Sequence, residues 1–155
     1  MRAVIIFGYH RRDSFCNNGI VKAIEYELAK NDIPYDVIDL YQDEFHAAYQ
    51  AEKNKDLLVE YKDKITHCTH IFFVSPVWWF RCTSMLEGFF DQIFAPGFAY
   101  EFVKLTKTYG IPKPLLGDKH VYTYLTHGAP ALPVMTIYLN SVKLRLQLGV
   151  FSFVF

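Results

Sequence analysis

Short runs of consecutive apolar residues alternate along this sequence with longer stretches whose apolar residues recur at helical spacing. The runs lie at residues 3–7, 37–40, 71–74, 121–125 and 150–155, and each is short enough for a β-strand. Because most of them are apolar at consecutive positions, both faces of the sheet are expected to be covered. This pattern is typical of a parallel sheet between helical layers.

Helices are predicted between these runs, at residues 15–30, 50–65, 84–94 and 131–146. The βαβαβαβαβ order predicts an α/β fold with a doubly wound, five-stranded parallel sheet in the order 2-1-3-4-5 and helices on both faces. Residues 110–114 are predicted to form a surface loop. The last run ends the sequence, so a helix after the fifth strand is predicted to be absent, and one face of the sheet is expected to lack a cover.

Length and charge limit the classes of partner. With 155 residues, of which 52% are hydrophobic, the chain is predicted to form one domain, residues 1–155. Its 16 basic and 16 acidic residues balance, so neither nucleic acid nor an anionic membrane is an expected partner. No apolar run approaches the roughly 20 residues of a membrane span, and the first residues enter a strand pattern at once. A cytoplasmic protein without membrane insertion is expected.

Cysteine and histidine spacing predicts no metal site. The three cysteines show no CxxC spacing, which argues against both a disulfide framework and a zinc ribbon. The stretch from His67 to His70 has metal-ligand residue types, but no carboxylate or second cysteine pair accompanies it in register. A ligand of this protein is therefore expected to be held by groups other than a bound metal.

The loop after the first strand, residues 8–17, has the composition of an anion site. In a doubly wound sheet, ligands bind at the carboxyl ends of strands one and three, where the winding reverses. A polar loop that runs into a helix exposes main-chain N–H groups, which can hold a phosphate. Ser14 could donate its hydroxyl to the anion, with His10, Arg11 and Arg12 as further donors, or it could only cap the helix. The residues alone leave both interpretations open.

Both tryptophans follow the third strand, in the stretch SPVWWFR. Pro76 fixes its φ and predicts a rigid turn, after which the N–H groups of Val77, Trp78 and Trp79 are expected to point at a ligand. Trp79 and Phe80 would form a flat apolar wall, whereas Trp78 is expected to pack beneath the loop. A planar heterocycle is the predicted occupant.

The loop after the fourth strand contains Thr126, His127 and Gly128. Glycine lets a ligand approach the main chain closely, so this turn is predicted to contact the polar rim of the ring. The three loops together predict one site at one edge of the sheet, for a phosphate and a flat ring.

With these motifs in place, the chain resembles the flavodoxin-like NAD(P)H:quinone oxidoreductases. The matching stretches are HRRDSFCNNGI, VIDLYQDEF, THIFFVSPVWWFRCTSMLEGFFDQIF, GFAY and LLGDKHVYTYLTHGAP. The resemblance implies a bound flavin, FAD or FMN, that takes hydride from NADPH or NADH and reduces a quinone in a ping-pong cycle. It also implies a homodimer, with the region around Gly97 near the contact.

The resemblance assigns residues to the flavin by motif position. The phosphate loop corresponds to His10, Ser14, Cys16 and Asn17, the segment along the ring to Pro76, Val77, Trp78, Trp79 and Phe80, and the polar edge to Thr126 and Gly128. His127 is expected to act as a proton donor. The chain departs from the family where Glu87 replaces a usual lysine and His127 a usual glycine. The tyrosine and histidine of the mammalian relay fall at Pro133 and Leu139.

Two other functions are alternatives for a chain of this kind. Related flavoproteins serve as ancillary subunits of potassium-efflux antiporters, in which binding to a membrane partner matters more than turnover. A one-electron carrier of the flavodoxin type is less favoured, because such carriers tend to be strongly acidic and this chain is neutral.

Overall fold

A four-stranded parallel sheet forms the centre of the protein in a computed structural model, which describes residues 1–48 and 54–155. The sheet has the order β2-β1-β3-β6 and consists of β1 (Ala3–Phe7), β2 (Tyr35–Asp39), β3 (His70–Pro76) and β6 (His120–Thr126). A separate two-stranded antiparallel ribbon pairs β4 (Tyr100–Lys104) with β5 (Gly110–Pro114). The parallel sheet is confirmed, but the fifth strand predicted for it is not found among the described residues.

Strand register brings the predicted loops to one edge. Ala3 pairs with both Tyr35 and His70, and His70 pairs with His120. Because all four strands run in the same direction, their carboxyl ends meet, and the loops that leave β1, β3 and β6 start side by side. The β3–β6 ladder ends at the pair Pro76 and Thr126.

Helices cover the sheet as the periodicity predicted, with corrected bounds. A π-helical turn (Cys16–Val21) continues into α1 (Lys22–Lys30), and α2 (Lys55–His67) and α3 (Ser84–Ile93) lie on the other face of the sheet. The predicted start of the second helix, residues 50–53, lies outside the described residues. Within the described ranges, no helix has both the length and the apolar character needed to cross a membrane.

Residues 150–155, predicted as the fifth strand, are helical instead. After α4 (Ala131–Met135), the chain forms α5 (Ser141–Leu144), a π-helical segment (Arg145–Phe151) and α6 (Ser152–Val154), called here the C-terminal helical segment. Its inward apolar residues recur every four positions and pack on the same core as α2 and α3: Val142, Leu146, Val150 and Val154. The consecutive apolar run therefore hides a helical period, and the predicted absence of a helix after the last strand is wrong.

Two further predictions are corrected by local geometry. The predicted helix at 131–146 is broken, because Leu139 and Asn140 have φ values of 50° and 47° and reverse the chain. The predicted loop at 110–114 is β5, which the ion pair of Lys113 with Glu101, 2.9 Å long, ties to β4. A ribbon of two strands consists only of edge strands, so it tolerates the prolines that suggested a loop.

Candidate functional site at the carboxyl edge of the sheet

Gly8 connects the end of β1 to the start of α3. A Cβ atom at Gly8 would lie 2.9 Å from Leu86 Cβ, so only glycine fits without a shift. The Gly8 carbonyl accepts a 2.5 Å hydrogen bond from Thr83 Oγ1, and the same hydroxyl oxygen accepts from Leu86 N at the N-terminus of α3. Thr83 was not predicted as a site residue, although a threonine before a helical period is a recognisable N-cap signal.

Ser14 caps the helix in this structure. Its hydroxyl donates to the Arg11 carbonyl (2.7 Å) and accepts from Asn17 N (3.2 Å). The Asn17 side chain donates to the Arg12 carbonyl (2.8 Å). These bonds fold the loop on itself, so its main chain is already shaped before any ligand binds.

Both arginines of the loop are paired with carboxylates. Arg11 lies 3.2 Å from Asp13, and this contact raises the pKa of the guanidinium and lowers the pKa of the carboxyl. Arg12 forms two hydrogen bonds with Asp39 at the end of β2, one of them 3.0 Å long, and this pairing raises the Arg12 pKa. Both guanidinium groups thus already donate to carboxylates in this arrangement, and their role as donors to an anion stays a prediction.

An aromatic cluster surrounds His10. Its ring lies 4.8 Å from that of Tyr9, 5.6 Å from Tyr41 and 6.4 Å from Trp78, between centroids. Trp78 meets Tyr9 edge to face at 5.8 Å and is 38% exposed. Burial, with a smaller contribution from Tyr9, raises the pKa of Tyr41. Tyr9 and Tyr41 were not predicted, because their proximity depends on how two loops meet.

A strained two-residue turn presents Trp79 to solvent. Trp78 and Arg81 exchange main-chain hydrogen bonds of 2.9 and 3.1 Å, while Trp79 and Phe80 between them have φ values of 52° and 58°. This left-handed pair is normally filled by Asn and Gly. Trp79 is 91% exposed, so its ring contributes almost nothing to the core. Such strain at an exposed aromatic residue is typical of a binding site.

Two of the predicted main-chain donors are already bonded. Val77 N donates to the Thr126 carbonyl (2.8 Å), and Trp78 N donates to the Arg81 carbonyl (2.9 Å). The prediction that these N–H groups point at a ligand is wrong. Pro76 is buried at the end of β3, and its carbonyl accepts from the Ser75 hydroxyl (2.9 Å).

Thr126 joins the three loops. Its hydroxyl lies 3.1 Å from Cys16 Sγ, at the start of the helical turn after β1, and its carbonyl accepts from Val77 after β3. Burial raises the pKa of the Cys16 thiol, so this sulfur stays protonated at neutral pH. Nothing lies within 4 Å of a Cβ atom built on Gly128, so the main chain there is open to a ligand.

His127 and Phe80 extend the site toward the last third of the chain. His127 lines a cavity of 480 Å³ between β6 and the C-terminal helical segment, together with Asn140 and Lys143. The Phe80 ring packs on that of Tyr138, with centroids 4.4 Å apart. Tyr138 is a second residue that sequence reasoning missed, because the break in the helix at 139–140 sets its position.

Glu87, which replaces the lysine usual in the family, forms an ion pair within this chain. Arg145 forms two hydrogen bonds with the Glu87 carboxylate, one of them 2.9 Å long, and Cys82 N donates to the same carboxylate (2.9 Å). The Glu87 carboxylate thus connects Cys82, which directly follows SPVWWFR, to the C-terminal helical segment. Burial, and then the charge of Glu87, raises the pKa of Cys82 to about 12.

Comparison with known proteins gives a family match over most of the chain. Residues 1–140 match a family described by its flavodoxin-like fold. Ribosyldihydronicotinamide dehydrogenase (quinone) of Rattus norvegicus is 25% identical over 126 residues, which cover 64% of this chain and 54% of that protein. The chain spans about half the length of this and another curated relative that it matches.

Solved structures share the fold at low identity. The NAD(P)H:quinone oxidoreductase from Methanothermobacter marburgensis superposes with a TM-score of 0.75 at 22% identity, covering 97% of this chain and 78% of that one. An FMN-dependent NADH-azoreductase from Bacillus anthracis, solved with FMN, gives 0.71 at 14% identity and covers 99% and 82%. Since the family match spans residues 1–140, the chain belongs to the flavodoxin-like family, the NAD(P)H:quinone oxidoreductase group that its motifs resemble.

Proposed function

We propose that this protein is a flavin-dependent NAD(P)H:quinone oxidoreductase. The observation that carries the proposal is the convergence of three loops at Thr126. This residue contacts Cys16 in the loop after β1 and Val77 in the loop after β3, beside the exposed ring of Trp79. The convergence places a polar loop that starts a helix, an aromatic wall and an open glycine at one edge. The names of the relatives, one a quinone dehydrogenase and one an FMN-dependent reductase, support the same function.

The first loop is proposed to hold the flavin phosphate. Ser14 and Asn17 shape the loop by their mutual hydrogen bond, and main-chain N–H groups at the start of the helical turn attract the anion. The exposed His10 adds a donor, and Cys16 fixes the loop against Thr126. The phosphate contacts are thus proposed to come from main chain and neutral donors, since both arginines are engaged elsewhere.

The loops after β3 and β6 are proposed to hold the ring. Trp79 and Phe80 supply the apolar wall, Trp78 supports it from the aromatic cluster, and Gly128 leaves space for the polar rim. His127 is proposed as the proton donor to the reduced acceptor. Its place on the 480 Å³ cavity gives it access to solvent for reprotonation.

The bound flavin would supply the redox chemistry, accepting a hydride from NADPH or NADH and then passing two electrons to a quinone in a ping-pong cycle. The residues of this chain orient the ring, keep one face against Trp79, and deliver protons to the quinone oxygens. The proposal covers both FMN and FAD. No observation on the described residues favours the alternative, an ancillary subunit of a potassium-efflux antiporter.

A homodimer is proposed on the β4–β5 ribbon. The ribbon stands apart from the central sheet and exposes apolar side chains, with Phe102 61% and Tyr109 64% exposed. The turn before it contains Gly97 in the left-handed region, with φ 84°. Cover by a second copy would bury this apolar surface.

Flavin titration of the purified protein tests the proposed function. We expect the wild-type protein to be yellow, or to become so with added flavin, and to oxidise NAD(P)H only when a quinone is present. Trp79→Ala is expected to raise the flavin dissociation constant about 2- to 13-fold, because stacking contributes about 0.5–1.5 kcal/mol. Tyr26→Ala is the matched control, since Tyr26 is a 64% exposed aromatic residue on α1. A wild-type protein that binds no flavin would contradict the proposal.

A further inference from the structure

Arg81 is the one arginine of this chain that forms no ion pair with a carboxylate of the described residues. The other arginines each pair with an aspartate or a glutamate: Arg2 with Asp36, Arg11 with Asp13, Arg12 with Asp39 and Arg145 with Glu87. The Arg81 side chain is exposed, and within the described ranges its guanidinium donates to no protein group. Its N–H donors are therefore available to a ligand.

The main chain of Arg81 is fixed by the strained turn that presents Trp79. Arg81 N donates to the Trp78 carbonyl (3.1 Å), and the Arg81 carbonyl accepts from Trp78 N (2.9 Å). Two residues of chain span at most about 7 Å, so the Cα atoms of Arg81 and Trp79 lie within that distance of each other. A guanidinium on a fixed main chain thus stands next to the aromatic wall of the candidate site.

The carboxylates that flank Arg81 along the sequence are committed elsewhere. Glu87, the next one after it, accepts from Arg145 (2.9 Å) and from Cys82 N (2.9 Å). Asp63, the last one before it, lies on α2, 3.3 Å from His67 Nδ1. An arginine left without a carboxylate beside a flat apolar wall is typical of a site for an anion with several oxygens, such as a phosphate.

The proposed function brings two phosphate-bearing groups to this edge of the sheet. One is the flavin phosphate, which is assigned to the loop after β1. The other belongs to the hydride donor when this is NADH or NADPH, because both carry a pyrophosphate beyond the nicotinamide riboside. The nicotinamide has to stack on the flavin ring, so the pyrophosphate is expected at the rim of the slot. Repulsion from the flavin phosphate favours the rim on the side of the loop after β3.

We propose that Arg81 binds the pyrophosphate of the hydride donor and so selects NADH and NADPH over ribosyldihydronicotinamide, which carries no phosphate. The inference rests on the proposed function and names a residue that determines its donor class. A guanidinium can donate to two phosphate oxygens at once, which a lysine in the same place cannot reproduce. Because this contact lies outside the ring slot, Arg81 contributes to donor binding and takes no part in the hydride transfer.

Steady-state kinetics with both classes of donor test the inference. Arg81→Gln is expected to lower kcat/KM for NADH about 5- to 20-fold and to leave kcat/KM for ribosyldihydronicotinamide unchanged. The kcat/KM for a water-soluble quinone is also expected to stay the same, because in a ping-pong cycle the donor has left before the quinone binds. Arg81→Lys is expected to lose less, since it keeps the charge. Flavin absorbance verifies equal cofactor content.

Arg2→Gln is the matched control. Arg2 is also an exposed arginine, but it lies before β1, at the amino edge of the sheet, and pairs with Asp36 (2.8 Å). Its replacement is expected to change none of these constants. Added salt gives a further comparison, because kcat/KM for NADH is expected to fall with ionic strength more steeply in the wild-type protein than in Arg81→Gln.

A binding measurement separates the inference from the proposed function. ADP-ribose carries the pyrophosphate without the nicotinamide, and its dissociation constant, measured by isothermal titration calorimetry, is expected to rise by a similar factor in Arg81→Gln. A wild-type protein that oxidises ribosyldihydronicotinamide but neither NADH nor NADPH would overturn the inference and leave quinone reduction intact. Equal losses with both donor classes, or an ADP-ribose affinity independent of Arg81, would also overturn it. A protein that binds ADP-ribose through Arg81 but binds no flavin would contradict the proposed function alone.

Discussion

The backbone conformation of Trp79 and Phe80 costs stability, whereas their side chains are expected to bind a ligand. Two consecutive left-handed residues with Cβ atoms cost about 1–2 kcal/mol each, yet Trp79 buries almost nothing in return. A strain that folding alone does not require is expected where a ligand repays it. The turn is therefore expected to limit stability while it provides the ring that a flavin contacts.

Trp79→Gly is expected to separate these two effects. Glycine adopts the left-handed conformation freely, so the free energy of unfolding without flavin is expected to rise by about 1 kcal/mol. Flavin affinity is expected to fall as in Trp79→Ala, because both variants lack the ring. Urea unfolding and flavin titration measure the two quantities. Equal stability of the Gly and Ala variants would show that the φ of 52° carries no strain.

Thr83 is expected to be the residue that positions the first loop. Thr83→Val keeps the shape of the side chain but removes the hydroxyl that donates to Gly8 O and caps α3. A loss of about 1–3 kcal/mol in the free energy of unfolding is expected, because a buried carbonyl loses its partner. Thr66→Val is the matched control, since the Thr66 hydroxyl bonds only to the Lys62 carbonyl at an exposed site. Similar losses in both variants would contradict this role.

Among the secondary structure elements, those whose periodicity matched their burial were predictable. The strands near residues 3 and 71 were predictable because both of their faces are largely buried, whereas those near residues 37 and 121 are only partly buried and were predicted from their short apolar runs. The C-terminal helical segment was not predictable as a helix, because its outward side is also apolar: Leu144 and Leu148 are 44% and 68% exposed, and Phe153 is 39% exposed. Such residues erase the contrast between buried and exposed sides on which a sequence pattern depends.

The loops of the candidate site were predictable in position but not in bonding. Strand order alone places the loops after β1, β3 and β6 together. Whether Val77 N meets a ligand or Thr126 O depends on the register of β3 against β6, which no local pattern contains. The pairing of Arg12 with Asp39 likewise joins residues from two strands, so the sequence could not show that this guanidinium is engaged.

The Glu87–Arg145 pair is expected to hold the C-terminal helical segment on α3. Glu87→Lys restores the residue usual in the family, but it would place two cations together in a partly buried position. We expect a loss of about 1–3 kcal/mol in the free energy of unfolding, limited by the 43% exposure of the Arg145 side chain. Glu87→Lys/Arg145→Glu is expected to recover part of the loss. Urea unfolding of the three proteins measures the coupling, and a double variant that shows only the sum of the single losses would contradict it.

At the scale of the whole molecule, stability is expected to fall in alkali because all three cysteines are buried free thiols. Burial raises the pKa of Cys16 and Cys68, and that of Cys82 to about 12. In the unfolded chain each thiol ionises near about pH 8.5. Above that pH the unfolded state binds fewer protons than the native state, so the free energy of unfolding declines as pH rises.

The slope of this decline identifies its source. Each thiol contributes at most about 1.4 kcal/mol per pH unit between its unfolded and native pKa values, and nothing below the unfolded value. Tyr61, whose pKa is raised by burial and then by Asp43, adds to the slope only above about pH 10. Urea unfolding with reductant between about pH 7.5 and 9.5 is therefore expected to show a loss that starts near pH 8.5. A variant with all three cysteines changed to alanine is expected to be less stable at every pH but to keep a flat profile in this range. An equal slope in that variant would place the alkaline transition elsewhere in the molecule.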